Sequence, residues 1–301
     1  MNDVVCLMPY SDRLFVDLHC HSTCSDGTLP PRVLARRAKQ AGLSAFVLTD
    51  HDTAAGCAEA AAVAAELGID FLPGIELSCD YPRPGTLHLL GYGIDPASPS
   101  LADLSRRMVA GRNERNERIV TALQKLGVRI DMDEVRQVAK GEVIGRPHIA
   151  EALLRKRIVS HRGEAFTRYL GNGGLAFEDR DQLTPAQAIA AVHAAGGLAV
   201  VAHPFQLRKE NYAQLRGAIK HLADQGLDGI ETLHSDHRDS LVAELEEIAR
   251  ELGLLVTGGS DFHGSNKPHI KLGRAGRRRI PRERYDALKA ALAARGASKS
   301  A

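Results

Sequence analysis

The sequence predicts an α/β barrel-like domain interrupted by an all-helical insert. Strand-like apolar runs alternate with helical patterns over the first hundred residues, the alternation stops over residues 101–184, and it resumes at Pro185. Side chains able to ligate a metal fall at or just after several of the apolar runs.

Residues 14–20 read as the first strand, with Leu14, Val16, Leu18 and Cys20 on one face and Phe15, Asp17, His19 and His21 on the other. A helix opens at Pro30-Pro31 and closes at Ala41-Gly42, with proline at its start and glycine at its end. Residues 45–49 form the next strand, 53–67 an alanine-rich helix ending at Gly68, and 69–72 and 87–91 further strands. This βαβ rhythm belongs to a parallel barrel or sheet, where functional groups collect at the C-terminal strand ends. A long charged helix over 105–126 follows, then helical patterns around 133–139, 147–156 and 164–170. The second half repeats the rhythm: helix 186–195, strand 198–202, helix 212–225, strand 229–233, helix 240–252 and strand 254–258. Residues 296–301 read as a frayed end. The expected division is therefore a barrel in two parts, 1–100 and 185–301, around an insertion domain at 101–184.

A chain of 301 residues can bury a sizeable core. Its net charge of +2 does not argue for a nucleic-acid coat or a membrane surface. Thirteen histidines and no tryptophan suit metal chemistry better than base stacking. The cysteines, Cys6, Cys20, Cys24, Cys57 and Cys79, are odd in number and lack disulfide-like spacing, which suits reduced thiols. The start, Met1 to Val5, has no basic-then-apolar leader pattern, and no apolar stretch approaches a membrane span. A cytoplasmic protein without an obligate protein partner is expected.

The most informative pair is His19 and His21, whose spacing on a strand puts two imidazoles on one face. Asp26, Thr49-Asp50-His51-Asp52, Gly74-Ile75-Glu76, His88, Ala202-His203-Pro204 and Ser260-Asp261-Phe262-His263-Gly264 accompany it. Taken singly, each has a plainer reading. His88 could be a hydrogen-bonded core histidine, Asp50 or Asp52 a cap on the following helix, and His203 a strand end. The combination of nitrogen and carboxylate ligands argues for Zn²⁺, Mn²⁺ or Fe²⁺ without choosing among them. Cys20 alternates away from the two histidines and stays outside the site.

Asp17-Leu18-His19-Cys20-His21-Ser22, Ser25-Asp26-Gly27, Thr49-Asp50-His51-Asp52, Gly74-Ile75-Glu76, Ala202-His203-Pro204 and Gly259-Ser260-Asp261-Phe262-His263 resemble, in order, the motifs of the PHP (polymerase and histidinol phosphatase) phosphoesterases. The resemblance covers essentially the chain outside the insert. It implies a distorted (β/α)7 barrel with a trinuclear metal centre, manganese first among the candidate ions. Carried over position by position, it implies His19, His21, Glu76 and Asp261 on one metal. Asp26, His51 and His263 would hold the second, and Glu76 would bridge to a third held also by His88 and His203. Many relatives have a histidine where Asp26 stands, so metal preference does not transfer.

Clustered divalent cations can bring a bridging water towards neutral pKa and hold a phosphate ester by its non-bridging oxygens. The resulting hydroxide can attack phosphorus in line while charge on the phosphoryl oxygens is neutralised. No Ser or Cys nucleophile is required, and the resemblance implies Glu76, Asp261 and His263 as the catalytic group. No glycine-rich phosphate loop is present to support a kinase or dehydrogenase.

Substrate choice should come from the insert. In Gly111-Arg112-Asn113-Glu114-Arg115-Asn116-Glu117-Arg118, helical spacing brings Arg112, Arg115 (or Asn116) and Ile119 near one another, and likewise Asn113 and Asn116. The plain reading is a solvated helix laced with Glu–Arg pairs; the functional one sends Arg112 and Asn116 over the barrel mouth. Gly145-Arg146-Pro147-His148 can start a helix with Arg146 and His148 at an anion-binding end. This helix and turn resemble the stand-alone bacterial PHP phosphoesterases. Their implied activity is removal of the 3′-phosphate from nucleoside 3′,5′-bisphosphates, with related members trimming short 5′-phosphorylated RNA. Arg112 and Arg146 are the candidates for an anchoring 5′-phosphate. The scarcity of aromatic residues favours a mononucleotide over RNA, and the Gly276-Arg277-Arg278-Arg279 run reads as solvated surface. Alternatives are a 5′–3′ exoribonuclease, a histidinol-phosphate phosphatase, an amidohydrolase, and an inactive metal-binding module.

Overall fold

The computed structural model describes residues 14–139, 143–179 and 182–299. Cys6 and the start of the chain lie outside the described residues.

Seven strands make the barrel: β1 (Phe15–Asp17), β2 (Leu43–Leu48), β3 (Asp70–Cys79), β4 (Leu87–Tyr92), β5 (Leu198–Val201), β6 (Gly229–Leu233) and β7 (Leu255–Gly258). They are neighbours in chain order. The β1–β2, β2–β3, β5–β6 and β6–β7 pairs are parallel. Strand β4, expected to continue the parallel rhythm, instead runs antiparallel to both β3 and β5. The connection between β3 and β4 is too short for a parallel crossover, which needs a dozen or more residues. Reversal puts the first residues of β4, His88 among them, at the same end as the C-terminal ends of the parallel strands. Strand β3 is also longer than expected and carries Glu76 within it.

The barrel closes through the segments that follow β1 and β7. Leu18 N donates to Gly258 O (3.3 Å), Asp261 N to His19 O (2.9 Å) and His21 N to Phe262 O (2.9 Å). The lower part of β1 pairs instead with β9 (Arg278–Pro281), the second arm of a hairpin begun by β8 (Arg274–Ala275). This split pairing is the distortion of the barrel. The strict alternation expected along residues 14–20 fails at the same place. Val16 and Leu18 join a cluster with Val47, Leu90, Tyr92 and Val200, whereas Cys20 packs with Leu34, Phe46 and Leu48. The chain bends at Leu18 and shifts phase by one residue.

Helices α1 (Pro31–Gln40) and α2 (Cys57–Leu67) cover β2. Helix α1 starts with proline, and α2 ends at Gly68 in the left-handed region (φ 59°), which glycine adopts without steric cost. Neither Asp50 nor Asp52 caps α2, contrary to expectation; Gly56 holds that position and no side chain caps it. The helical segment comprises α3 (Pro99–Lys125), α4 (Met132–Ala139), α5 (Arg146–Arg155), α6 (Arg162–Ala165) and a π turn (Phe166–Leu170). Helix α3 begins earlier than expected and serves two cores. Leu101, Leu104 and Met108 pack on the barrel, while Ile119, Val120 and Leu123 pack with the other helices of the segment.

Helices α7 (Pro185–Ala194), α8 (Tyr212–Ala223) and α9 (Asp239–Leu252) complete the outer layer. The expected frayed end is helical as far as described: α10 (Glu283–Lys299) sends Tyr285 and Leu288 into the barrel cluster. The arginine run is divided. Arg278 pairs with Asp239, Arg279 lies over the Phe15 ring, and Arg277 is exposed. Among the described residues no helix is long and apolar enough to cross a membrane, and no disulfide is present.

Candidate metal centre

Above the apolar filling, the strand ends bring a dense layer of imidazoles and carboxylates together. Glu76, almost wholly buried on β3, is its hub. One carboxylate oxygen, Oε1, lies 2.9 Å from both His88 Nδ1 and His203 Nε2. The other, Oε2, lies 3.0 Å from His51 Nδ1, 3.2 Å from His21 Nε2 and 3.4 Å from His19 Nε2. Asp261 Oδ1 stands 3.3 Å from His21 Nε2 and 3.5 Å from His19 Nε2. Asp26 Oδ1 is 3.1 Å from His263 Nε2, and its other oxygen is 3.9 Å from His51 Nε2.

Ligand atoms gather in four overlapping groups: His21 with Asp26, His51 and His263; His19 with Glu76 and His203; His19 with His21 and Asp261; and His51 with Glu76 and His88. Every residue expected from the sequence to ligate is in at least one of them. The grouping is more shared than expected, because His21 also reaches the Asp26 group and His51 also reaches Glu76. Backbone strain aims part of this layer. Asp52 (φ 57°), His203 (φ 28°) and Asp261 (φ 58°) occupy the left-handed region without being glycine.

Electrostatics bind the layer together. Burial alone would raise Glu76, yet the imidazoles of His51, His88 and His19 hold it well below the carboxylate range. Burial likewise opposes ionisation of Asp26 and Asp261, and His263 with His51 overcomes it for the first, Lys267 with His263 for the second. Burial would lower His21, but hydrogen bonds to Asp261 and Glu76 push it up to about 9. His19 is raised well above its ordinary value against burial, by the charges of Glu231 and Glu76.

The donor set fits divalent cations. His21 Nδ1 and His203 Nδ1 are buried without a hydrogen bond, although buried polar atoms ordinarily find one. Mixed nitrogen and oxygen donors with no cysteine suit first-row metals.

Several supporting residues escaped the sequence reading. Glu231 Oε1 accepts from His19 Nδ1 (3.0 Å), and Oε2 accepts from His203 N (2.7 Å). His234 Nε2 lies 3.5 Å from Asp261 Oδ2, and Lys267 Nζ donates to the same oxygen. A glutamate at the centre of an apolar strand, Gly229-Ile230-Glu231-Thr232-Leu233, is the one signal that could have found Glu231. Asp50 and Asp52 are braces. Asp50 accepts from Ser22 N, Ser22 Oγ and Ser25 Oγ, and Asp52 from Ser78 N (2.9 Å) and Arg112 Nε (2.6 Å).

The candidate substrate residues separate. Arg112 and Arg146 line one cleft together with Asp26, His51 and His88. Burial lowers Arg146, with the Arg112 charge adding to the effect. His148 lines a different cleft, and its Nδ1 accepts from Gly145 N (3.0 Å). Asn113 and Asn116 line neither; Asn116 is fully buried and its amide donates to Ile144 O (2.7 Å).

The pattern of the family described as the PHP domain matches residues 17–170. The chain belongs to the PHP family. Among similar proteins, a 5′-3′ exoribonuclease of Haemophilus influenzae is 37% identical over 82% of this chain and 89% of its own. A 3′,5′-nucleoside bisphosphate phosphatase of Chromobacterium violaceum is 35% identical over 82% of this chain and 87% of its own. A solved structure from Bifidobacterium adolescentis, described as that of a metal-dependent phosphoesterase, superposes with a TM-score of 0.82 at 31% identity. It covers 91% of this chain and 95% of that one. The expected distorted barrel is thereby borne out.

Proposed function

We propose that this PHP protein is a metal-dependent phosphoesterase that removes the 3′-phosphate of nucleoside 3′,5′-bisphosphates, leaving the nucleoside 5′-monophosphate. One observation carries the reading. The cleft that exposes Asp26, His51 and His88 of the ligand layer is walled by Arg112 and Arg146. A substrate with two phosphates matches it, one for the ligand layer and one for the guanidiniums.

On this reading His19, His21, Glu76 and Asp261 would hold one divalent cation, Asp26, His51 and His263 a second, and Glu76, His88 and His203 a third, with manganese the first choice. When bound, such cations supply an activated water and take up charge on the phosphoryl oxygens. Glu76, whose two oxygens face different histidines, would contribute to more than one of these positions. Asp261 and His263 stand beside it at the reacting phosphate. Glu231 holds His19 in the tautomer that leaves Nε2 free to ligate. Arg112, fixed by Asp52 and Ser78, and Arg146 orient the 5′-phosphate. The barrel supplies the chemistry and the insertion at 101–184 the selection. The absence of a disulfide among the described residues suits a reducing compartment such as the cytoplasm.

The test is phosphate release with Mn²⁺ from adenosine 3′,5′-bisphosphate beside 3′-AMP, 5′-AMP, histidinol phosphate and a five-membered cyclic phosphodiester. Fast release from the bisphosphate, leaving 5′-AMP, is expected. Release from none, or equal release from every monoester, overturns the proposal.

A further inference from the structure

The loop after β7 brings a lysine to the ligand layer. Lys267 follows a short 3₁₀ turn, Gly264–Asn266, and its ammonium donates to Asp261 Oδ2. The chain around it is tied down by its neighbours. Ser265 N donates to Thr28 Oγ1 (3.0 Å), Asn266 Nδ2 to Asp26 O (2.7 Å), and Arg162 Nη1 reaches Ser265 O and Asn266 O (3.4 Å each). Gly264 permits this approach, because a Cβ there would stand 2.0 Å from Thr28 Oγ1. Asn266 and Pro268 line the cleft that His148 also lines. Lys267 turns away from that cleft and into the ligand layer.

Among the described residues, Lys267 is the only lysine or arginine paired with Asp26, Glu76 or Asp261; their other ion-pair partners are imidazoles. Burial alone would lower Lys267, yet Asp261 raises it by charge and hydrogen bond, and the charges of Asp26 and Glu76 add to this. An ammonium has three N–H donors, and the bond to Asp261 uses one of them. The lysine side chain is 38% exposed where the Asp261 side chain is 7% exposed, so it lies at the edge between the layer and solvent. Oδ1 of Asp261 faces His19 and His21, whereas Oδ2 faces Lys267 and His234 (3.5 Å). The ammonium therefore leaves clear the oxygen assigned to the cation. A brace for Asp261 alone would need neither its charge nor its spare donors.

We propose that Lys267 is a catalytic residue, donating to a non-bridging oxygen of the scissile phosphate and stabilising the charge that develops there. The inference rests on the reading that the 3′-phosphate of a bisphosphate meets the ligand layer. A phosphate taken up beside Asp261 comes within reach of the spare donors. Such a charge-assisted hydrogen bond strengthens as negative charge grows on the phosphoryl oxygens. The cationic residues then divide by place. Arg112 and Arg146 border the layer beside Asp26, His51 and His88 and take the distant phosphate, whereas Lys267 borders it at Asp261 and takes the reacting one.

The test compares K267M and K267R with the parent, each loaded with Mn²⁺. Equilibrium dialysis counts the bound Mn²⁺, and paramagnetic ³¹P relaxation follows inorganic phosphate held beside it. K267M should bind as many ions as the parent, yet hold inorganic phosphate about tenfold more weakly, the loss of one charge-assisted hydrogen bond. Its kcat for adenosine 3′,5′-bisphosphate should fall about 100-fold, the scale of one donor to a developing oxyanion, while KM rises no more than about tenfold. K267R, which keeps the charge and several donors, should recover about tenfold or more of the lost kcat. Fewer Mn²⁺ ions in K267M would reduce Lys267 to a brace of Asp261 and overturn the proposal. Unchanged phosphate affinity or normal turnover in K267M would overturn it too, and either leaves the phosphatase reading in place. A parent that cleaves no bisphosphate, yet holds phosphate through Lys267, keeps this contact and refutes the phosphatase reading instead.

Discussion

His19 Nδ1 lies 3.0 Å from Glu231 Oε1, and both side chains are completely buried. A carboxylate only accepts, so it fixes the proton on Nδ1 and turns the lone pair of Nε2 towards Glu76 and Asp261. Replacing Glu231 by Gln keeps shape but loses charge and the certainty of that tautomer. The expected result for E231Q is a loss of about 10–100-fold in Mn²⁺ affinity, read by equilibrium dialysis. Unchanged affinity would remove Glu231 from its orienting role.

Glu76 touches more of the ligand layer than any other carboxylate. E76A should lower turnover of the bisphosphate by about 10³-fold or more while circular dichroism still reports a folded barrel. Normal turnover would show that the shared-carboxylate arrangement is wrong.

On the proposed reading, Arg146 anchors the substrate without taking part in the chemistry. R146A should raise KM for adenosine 3′,5′-bisphosphate by about tenfold, the scale of one charge-assisted hydrogen bond, with little change for 3′-AMP. Equal effects on both substrates would take Arg146 out of the anchor.

Protons and metal compete for the same lone pairs. In the metal-free protein His21 is pushed up to about 9, so it is protonated at pH 7.5. Ligation requires the neutral imidazole, so binding expels that proton and affinity weakens as pH falls below about 9, by about tenfold per pH unit for each proton displaced. Mn²⁺ added in weak buffer at pH 7.5 should acidify the solution, and at pH 10 should do so less. Identical proton release at both values would contradict the assignment.

Asn116 serves as a stability control. Its amide satisfies the buried carbonyl of Ile144, so N116A should cost about 1–3 kcal/mol in denaturant unfolding. A variant as stable as the parent would leave the residue free for another task.

The rhythm of the fold was legible because the chain punctuates itself. Pro30-Pro31 and Gly42 frame α1, and Gly68 stops α2. The ligand residues were legible because each stands at the edge of an apolar run. The direction of β4 was not read from its own residues, since apolar patterning is the same for either direction; it is set by the short link before it. Glu231 was missed because its partner His19 lies 212 positions away. The demotion of Asn116 from substrate to scaffold depends on the carbonyl of Ile144, which helical spacing cannot foresee.

Helix α3 spans about 40 Å at 1.5 Å per residue and is continuous from the barrel to the core of the inserted helices. Arg112 stands between the two apolar stretches, tied to Asp52 at the head of a strand link. On the proposed reading, one of the two anchoring cations is therefore mounted beside the ligand layer, on the part of α3 that packs against the barrel. The helices beyond Ile119, apart from the start of α5 that carries Arg146, could be lengthened or trimmed during divergence without moving the Arg112 guanidinium relative to the ligand layer. Such an arrangement lets one ancestral mouth acquire new clients by remodelling its far rim alone.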